Sequence, residues 1–302
     1  MVGSKRGTVV ESYGRRVLVE AADGETLPCK LKGRRLAVVA GDEVQIERGH
    51  GADDWTVVER LPRRNALSRS DSRGVEETIA ANLDQLCVVV APRPPCDPFI
   101  IDRYLAGAAF AGIGSLLIVN KADLPPENSA LSFLDGFAGL DLPTLKVSAR
   151  TGLGLEELKK ALSGKRSMLA GQSGVGKSSL LNALAGEQAR ATGSLSESSG
   201  EGRHTTVSSA ILRLPWGELA DSPGVRDYAP PVVPLRYVQA GFSEIAELAP
   251  GCRFLDCLHF QEPQCAVREA VEAGRIHARR YESYRRLLNL TRDLEERRGW
   301  RS

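Results

Sequence analysis

The sequence predicts a multi-domain chain: a small β-barrel, then an α/β domain around a parallel sheet, then a helical segment with a metal site. Three observations predict this. Short strand-forming runs separated by turn residues fill the first sixty positions. Continuous apolar runs then alternate with helical patterns. Finally Cys252, Cys257, His259 and Cys265 fall within fourteen residues.

The barrel is expected over 1–62. Residues 8–10, 16–20, 36–39 and 43–46 read as its strands, and Asp23-Gly24 as a hairpin turn. Residues 61–65 read as a linker. The α/β domain is expected over 63–229. Residues 86–91, 115–119, 144–147 and 167–170 read as buried strands. Residues 99–112, 155–162 and 178–185 read as helices. The proline-rich bridge 230–234 opens a helical domain over 230–302.

Bulk properties exclude several classes. With 42% apolar and 26% charged residues, the composition is that of a soluble protein. No apolar run approaches eighteen residues, so no membrane span is expected. No apolar segment follows Lys5 and Arg6, so a cytoplasmic protein without a secretory signal is expected. A net charge of +2 does not by itself imply a nucleic-acid partner. Between Arg275 and Arg301 nine arginines face four acidic residues, which on charge alone reads as a solvated helix face.

Gly171-Gln172-Ser173-Gly174-Val175-Gly176-Lys177-Ser178 fits G-x-x-x-x-G-K-[ST], after a predicted strand and before a predicted helix. Its glycines let backbone N–H groups turn toward phosphate oxygens. Lys177 supplies charge to the outer phosphates, and Ser178 a hydroxyl for Mg²⁺. Ser179 follows in the same helical turn, whose dipole also favours an anion.

Asn120-Lys121-Ala122-Asp123 ends another predicted strand. A carboxylate at Asp123 can accept from guanine N1–H and the N2 amino group, donors that adenine lacks. The Lys121 stem can pack over the purine. Ser148-Ala149 ends the next strand, with the Ala149 backbone toward guanine O6. Asp221-Ser222-Pro223-Gly224 fits D-x-x-G: Asp221 for the Mg²⁺ shell, Gly224 N–H for the γ-phosphate. Between them, Thr205 or Thr206 could complete the Mg²⁺ shell, Thr205 being preferred. His204 is a candidate for positioning water. Val225 stands where many switch GTPases have a water-orienting glutamine, so intrinsic hydrolysis should be slow. The guanine-reading motif precedes the phosphate loop, the reverse of the usual order in guanine-nucleotide switches.

Cys252-x4-Cys257-x-His259-x5-Cys265 offers three thiolates and an imidazole, a closed tetrahedral donor set for one structural Zn²⁺.

With these motifs in this order, the chain resembles the circularly permuted RsgA (YjeQ) GTPases of small-ribosomal-subunit biogenesis. The resemblance implies an OB-fold barrel, a circularly permuted P-loop GTPase domain and a helical zinc-binding domain. It implies GTP hydrolysis to GDP and phosphate, stimulated by the small ribosomal subunit late in that subunit's maturation. Zn²⁺ is implied, with Mg²⁺ accompanying GTP. The partners implied are the subunit and its rRNA, with no membrane and a monomeric state. The resemblance also suggests a catalytic role for His204; Lys177, placing its charge on the outer phosphates, is the other catalytic candidate. Gln264 departs from the family, which commonly has glycine before the last cysteine ligand. Arg63, Arg64 and the C-terminal arginines are expected phosphate contacts. Two other readings compete: a GTP-dependent regulator of another protein, and a metabolic ATPase or kinase. Subunit stimulation separates the first, and nucleotide competition the second.

Overall fold

A computed structural model describes residues 3–49, 54–125, 131–186, 209–221 and 228–299. Five strands form the barrel: β1 (Ser4–Tyr13), β2 (Arg16–Ala21), β3 (Thr26–Leu31), β4 (Glu43–Arg48) and β5 (Trp55–Arg60). They run in the order β1-β2-β3-β5-β4, and β4 pairs back with β1 to close the barrel. Val9, Val17, Val19, Leu27, Cys29, Val44, Ile46 and Val57 fill it, following the alternation of each strand. A bulge between Val9 and Glu11 lets the long β1 bend between partners.

Residues 36–39 do not form the expected strand. Val38 still enters the barrel core, but the backbone turns at once. Val39 N–H donates to Asp42 Oδ2 at 2.9 Å instead of to a neighbouring strand. The apolar run, expected as a strand, buries Val38 but leaves Ala37 exposed and turns rather than extends. β3, interrupted in sequence by Pro28 and Lys30 on its outer face, and β5 are strands that the sequence reading lacked.

Residues 61–65 lead into an unforeseen hairpin, β6 (Ala66–Ser70) and β7 (Glu76–Ala81). It binds to its surroundings through backbone groups. Ala81 N–H donates to Ala40 O of the barrel, and Ser70 N–H to Ala229 O. The Tyr228 hydroxyl donates to Ser68 O at 2.9 Å, while its ring stacks on Tyr104 at 4.9 Å.

The central sheet has β8 (Gln85–Val90), β9 (Gly114–Val119), β10 (Thr144–Lys146), β11 (Arg166–Ala170), β12 (Ser209–Leu214) and β13 (Gly217–Asp221). The order β10-β9-β8-β11-β13 is parallel throughout, and β12 adds antiparallel to β13. Parallel strands place all their C-terminal ends along one edge. All six residues of β8 are buried, as expected of a strand covered on both faces. α1 (Pro98–Phe110), α2 (Leu155–Leu162) and α3 (Lys177–Ala185) are the main helices of this region. β12 also pairs with β1, so the sheet continues into the barrel.

The C-terminal region contains α4 (Ser243–Leu248), α5 (Ala266–Glu272) and α6 (Ala278–Gly299), with 3₁₀ turns at Leu235–Gly241 and Ala249–Gly251. Its core of Val238, Phe242, Ile245, Val267, Tyr284 and Leu288 also takes in Ala106 of α1. Beside that contact lies a buried ion network. Asp102, with no exposed side-chain surface, accepts from Arg279 at 2.7 Å and Arg280 at 2.5 Å. Arg280 also pairs with Glu244 at 2.7 Å and lies against the Phe242 ring. No described helix is long and apolar enough to cross a membrane.

Candidate functional site

The strand termini bring the sequence motifs to one sheet edge. β11 ends in the glycine loop 171–176, and α3 begins at Lys177. Gly176 has φ +96, and a Cβ there would lie 2.3 Å from Asn120 Nδ2. Gly171 has φ +140, and a Cβ there would lie 2.3 Å from Val89 O. Both positions therefore need glycine for space as well as for backbone conformation. Lys177 Nζ donates to Gly171 O at 2.7 Å and Gln172 O at 2.8 Å, folding its stem over the loop. Ser173 and Gly174 are exposed in that loop, Val175 is buried, and Ser178 and Ser179 are exposed on the first turn of α3.

Asn120, 1% exposed, is the hub. Its Nδ2 donates to Val175 O at 2.9 Å, and its Oδ1 accepts from Ala149 N–H at 3.3 Å. One side chain thus joins the phosphate loop to the segment after β10. Lys121, in the left-handed region at φ +59, donates to Gly174 O and Arg93 O, both at 2.8 Å. Its stem therefore spans the phosphate loop.

Asp123 Oδ1 accepts from Ser148 Oγ at 2.5 Å, and its Oδ2 accepts from Arg150. The Ser148 hydrogen bond holds the carboxyl below its ordinary pKa of 3.8; partial burial opposes this, and Arg150 adds to it. The carboxylate is charged and held in place by these two partners. Asp221 is exposed at the end of β13, which runs parallel beside β11. His204, Thr205, Thr206, Gly224 and Val225 lie outside the described residues.

Some supporting contacts were not foreseen. Gln172 Oε1 accepts from Asp97 N–H at 2.9 Å, tying the phosphate loop to the start of α1. Arg150 had one available signal, its place directly after Ser148-Ala149. Arg63 and Arg64, expected to face phosphates, are engaged within the fold. Arg63 pairs with fully buried Asp42 at 2.6 Å, and Arg64 with Asp84 at 2.6 Å. Arg63 is largely buried in its pair, whereas the Arg64 side chain stays 60% exposed beside Asp84.

The four predicted metal ligands converge, with all ligand atoms within 4.8 Å of one another. Cys252 Sγ and Cys265 Sγ are 3.8 Å apart, and each lies 3.4 Å from His259 Nδ1. Tetrahedral zinc, with bonds of about 2.3 Å to sulfur and about 2.0 Å to nitrogen, requires edges of about 3.8 and about 3.5 Å. The donor set could therefore hold such an ion. His259 Nε2 lies 2.7 Å from Gln239 Oε1, which fixes the ring with Nδ1 toward the cysteines. Glu262 secures the loop by accepting from the N–H groups of Leu258, Phe260 and Gln261. Gln264 adopts φ +57, the conformation a glycine would take there. Arg253 binds both its carbonyl and its side-chain oxygen, at 3.2 and 3.0 Å. These two bonds hold the turn at Gln264.

A model of the RsgA GTPase family matches residues 60–229. A relative from Pseudomonas aeruginosa, named small ribosomal subunit biogenesis GTPase RsgA, is 43% identical over 286 residues, covering 93% of this chain and 84% of its own. A relative of the same name from Azotobacter vinelandii is 43% identical over 292 residues, covering 94% and 85%. The crystal structure of YjeQ from Thermotoga maritima superposes with a TM-score of 0.74 at 32% identity, covering 96% of this chain and 99% of that one. YloQ, described as a circularly permuted GTPase, shares the fold at a TM-score of 0.72 and 21% identity, with 96% of each chain covered. The motifs converge on one edge in a permuted order, and the relatives span nearly the whole sequence: the chain belongs to the RsgA GTPase family and is a GTP-hydrolysing enzyme.

Proposed function

We propose that this GTPase binds the small ribosomal subunit and assists its late maturation, hydrolysing GTP to GDP and phosphate under stimulation by the subunit. It acts in the cytoplasm as a monomer. Its working parts are a barrel over 1–62, a GTPase domain over 63–229 and a zinc-binding domain over 230–302. The observation that carries the nucleotide reading is Asn120, which locks phosphate loop and base-reading segment into one site.

Asp123 reads the guanine edge, with Ser148 and Arg150 holding its carboxylate in place. Asn120 and Lys121 shape the pocket, and the Ala149 N–H faces the base oxygen. The N–H groups of 171–176 and the start of α3 cradle the phosphates. Lys177 leaves its loop carbonyls to meet the outer phosphates, where it stabilises charge developing during transfer. Ser178, Asp221 and Thr205 would hold Mg²⁺, which neutralises phosphate charge when bound with GTP. Gly224 N–H senses the γ-phosphate, and His204 positions the attacking water. Cys252, Cys257, His259 and Cys265 hold one Zn²⁺, and four protein ligands leave it a structural role.

GTP hydrolysis measured with and without isolated small ribosomal subunits tests this reading. Slow turnover alone, faster turnover with subunits, and failure of ATP to compete are expected. Turnover indifferent to subunits would refute the subunit role, and competition by ATP would refute the base assignment.

A further inference from the structure

Tyr228 stands four residues after Gly224 and is fully buried. Its ring stacks on Tyr104 of α1, with centroids 4.9 Å apart and planes 17° from parallel. α1 makes room for it at Gly107, where a Cβ would overlap the Tyr228 hydroxyl and lie 2.7 Å from its ring. Glycine weakens a helix interior, so α1 gives up helix stability where the tyrosine enters.

The hydroxyl is engaged as well. It donates to Ser68 O of β6 at 2.9 Å, and the next carbonyl, Ala229 O, accepts from Ser70 N–H at 2.9 Å. Stacking on Tyr104 needs only the ring; the hydroxyl adds a second wall, the β6–β7 hairpin. That hairpin is itself bonded to the barrel, Ala81 N–H donating to Ala40 O at 3.1 Å. The chain at 228–229 is therefore fixed from two sides, by side chain and by backbone.

The same helix holds the phosphate loop. At its start, Asp97 N–H donates to Gln172 Oε1 at 2.9 Å. Tyr104 follows about two helical turns later. Asp221 and Tyr228 are thus both tied to the phosphate loop. Asp221 is tied through β13, which pairs with β11, and Tyr228 through α1. A short segment whose ends are already fixed loses less conformational entropy when it settles on a ligand.

We propose that Tyr228 is a positioning residue for GTP hydrolysis. Clamped between α1 and the β6–β7 hairpin, it fixes the chain that leaves the D-x-x-G motif, so that the Gly224 N–H meets the γ-phosphate. The inference rests on the reading of Gly224 above and adds the residue that supports it. GDP has no γ-phosphate. The clamp therefore acts on turnover and on discrimination between GTP and GDP, and leaves GDP binding alone.

Full-length Tyr228→Leu and Tyr228→Phe test this beside Ile46→Ala, which trims an equally buried side chain in the barrel core. Unstimulated hydrolysis at saturating GTP, GDP affinity and melting temperature are measured. Tyr228→Leu should lower kcat on the order of tenfold to a hundredfold, as expected of a misplaced reacting group. Its GDP affinity should equal the parent's, and its preference for a non-hydrolysable GTP analogue over GDP should shrink. Tyr228→Phe keeps the stacked ring and loses only the bond to Ser68 O, so its kcat should fall between those of the parent and the leucine variant. Ile46→Ala should lower the melting temperature and, assayed below it, leave kcat unchanged. Gly107→Ala reaches the same seat from α1 by putting a methyl group where the hydroxyl lies. It should lower kcat as Tyr228→Leu does, and it decides the matter if the leucine variant does not fold. Parent-like turnover in a folded Tyr228→Leu or Gly107→Ala protein, or an equal loss in Ile46→Ala, would overturn the inference. Unimpaired hydrolysis in Gly224→Ala would instead sink the D-x-x-G reading beneath it.

Discussion

In the proposed site, Asn120 and Asp123 divide the segment after β9 into a structural and a chemical half. Asn120 is buried and spends both ends of its amide on backbone partners from other segments. Asp123 keeps a charged edge for the ligand. Charge-assisted hydrogen bonds contribute roughly 1.5–3 kcal/mol, so Asp123→Asn should reduce the preference for GTP over ATP roughly ten- to hundredfold. Nucleotide competition would measure it, and an unchanged preference would contradict the role. The depressed pKa of Asp123 has a pH consequence. Its charge is present above the ordinary value of 3.8 and is lost only as pH falls through the lower folded-state value. GTP preference should therefore hold from about pH 7 to about pH 5. At the metal cluster, Gln239 orients His259 from outside the donor set. Gln239→Ala should weaken zinc affinity about 10- to 100-fold, measured by chelator competition, with the protein still folded at saturating zinc.

α1 links three regions at the scale of elements. Its first residues meet the phosphate loop through the Asp97–Gln172 bond, and Asp97 caps the helix by accepting from Phe99 N–H. Farther along, Asp102 receives Arg279 and Arg280 from α6. Removing one partner of a buried ion pair costs about 3–5 kcal/mol, because the other charge stays buried. Asp102→Ala should therefore lower the melting temperature markedly, while Arg286→Ala on the exposed face of α6 should barely move it. Equal melting temperatures for the two would show that the network carries no stability. α1 was legible in sequence from its apolar pattern and the Asp-Pro start. Its partner arginines were not, since Asp102 and Arg280 lie 178 positions apart. The nine C-terminal arginines read as one solvated face, yet Arg280 is buried and Arg279 largely so. Charge counting along a chain does not reveal which cations a distant carboxylate will claim.

Across the whole molecule, two connections join the central sheet to the C-terminal region that carries the Cys/His cluster. One is covalent, from the Asp221 strand through the proline bridge 230–234. The other is the packed contact of α1 with α6 and Phe242. A bridge running directly from the Asp221 strand would let nucleotide state reach the C-terminal region. The buried Asp102 network adds a condition: α1 and α6 should move as one body. Spin-label or fluorescence distances between α1 and α6 should be the same with GDP and with a non-hydrolysable GTP analogue. Any nucleotide-dependent change should appear between the barrel and α6. A change confined to the α1–α6 distance would show that the network opens instead.

What the sequence determined by itself was local chemistry. The glycine loop, Asn120 to Asp123, Ser148-Ala149 and the Cys/His cluster are short motifs whose residue types and spacing already specify donors and acceptors. The buried strands that carry them were legible because continuous apolar runs survive without knowledge of partners. The tertiary structure alone decided pairing and availability. It showed that residues 36–39 turn rather than extend, and that 66–81 form a hairpin against the barrel. It showed that Arg63 is committed to buried Asp42, while Arg64 pairs with Asp84 and still faces solvent. The physical reason is range. A motif's chemistry is set by neighbours a few bonds away, whereas the state of a charge or a strand is set by whatever the fold brings against it.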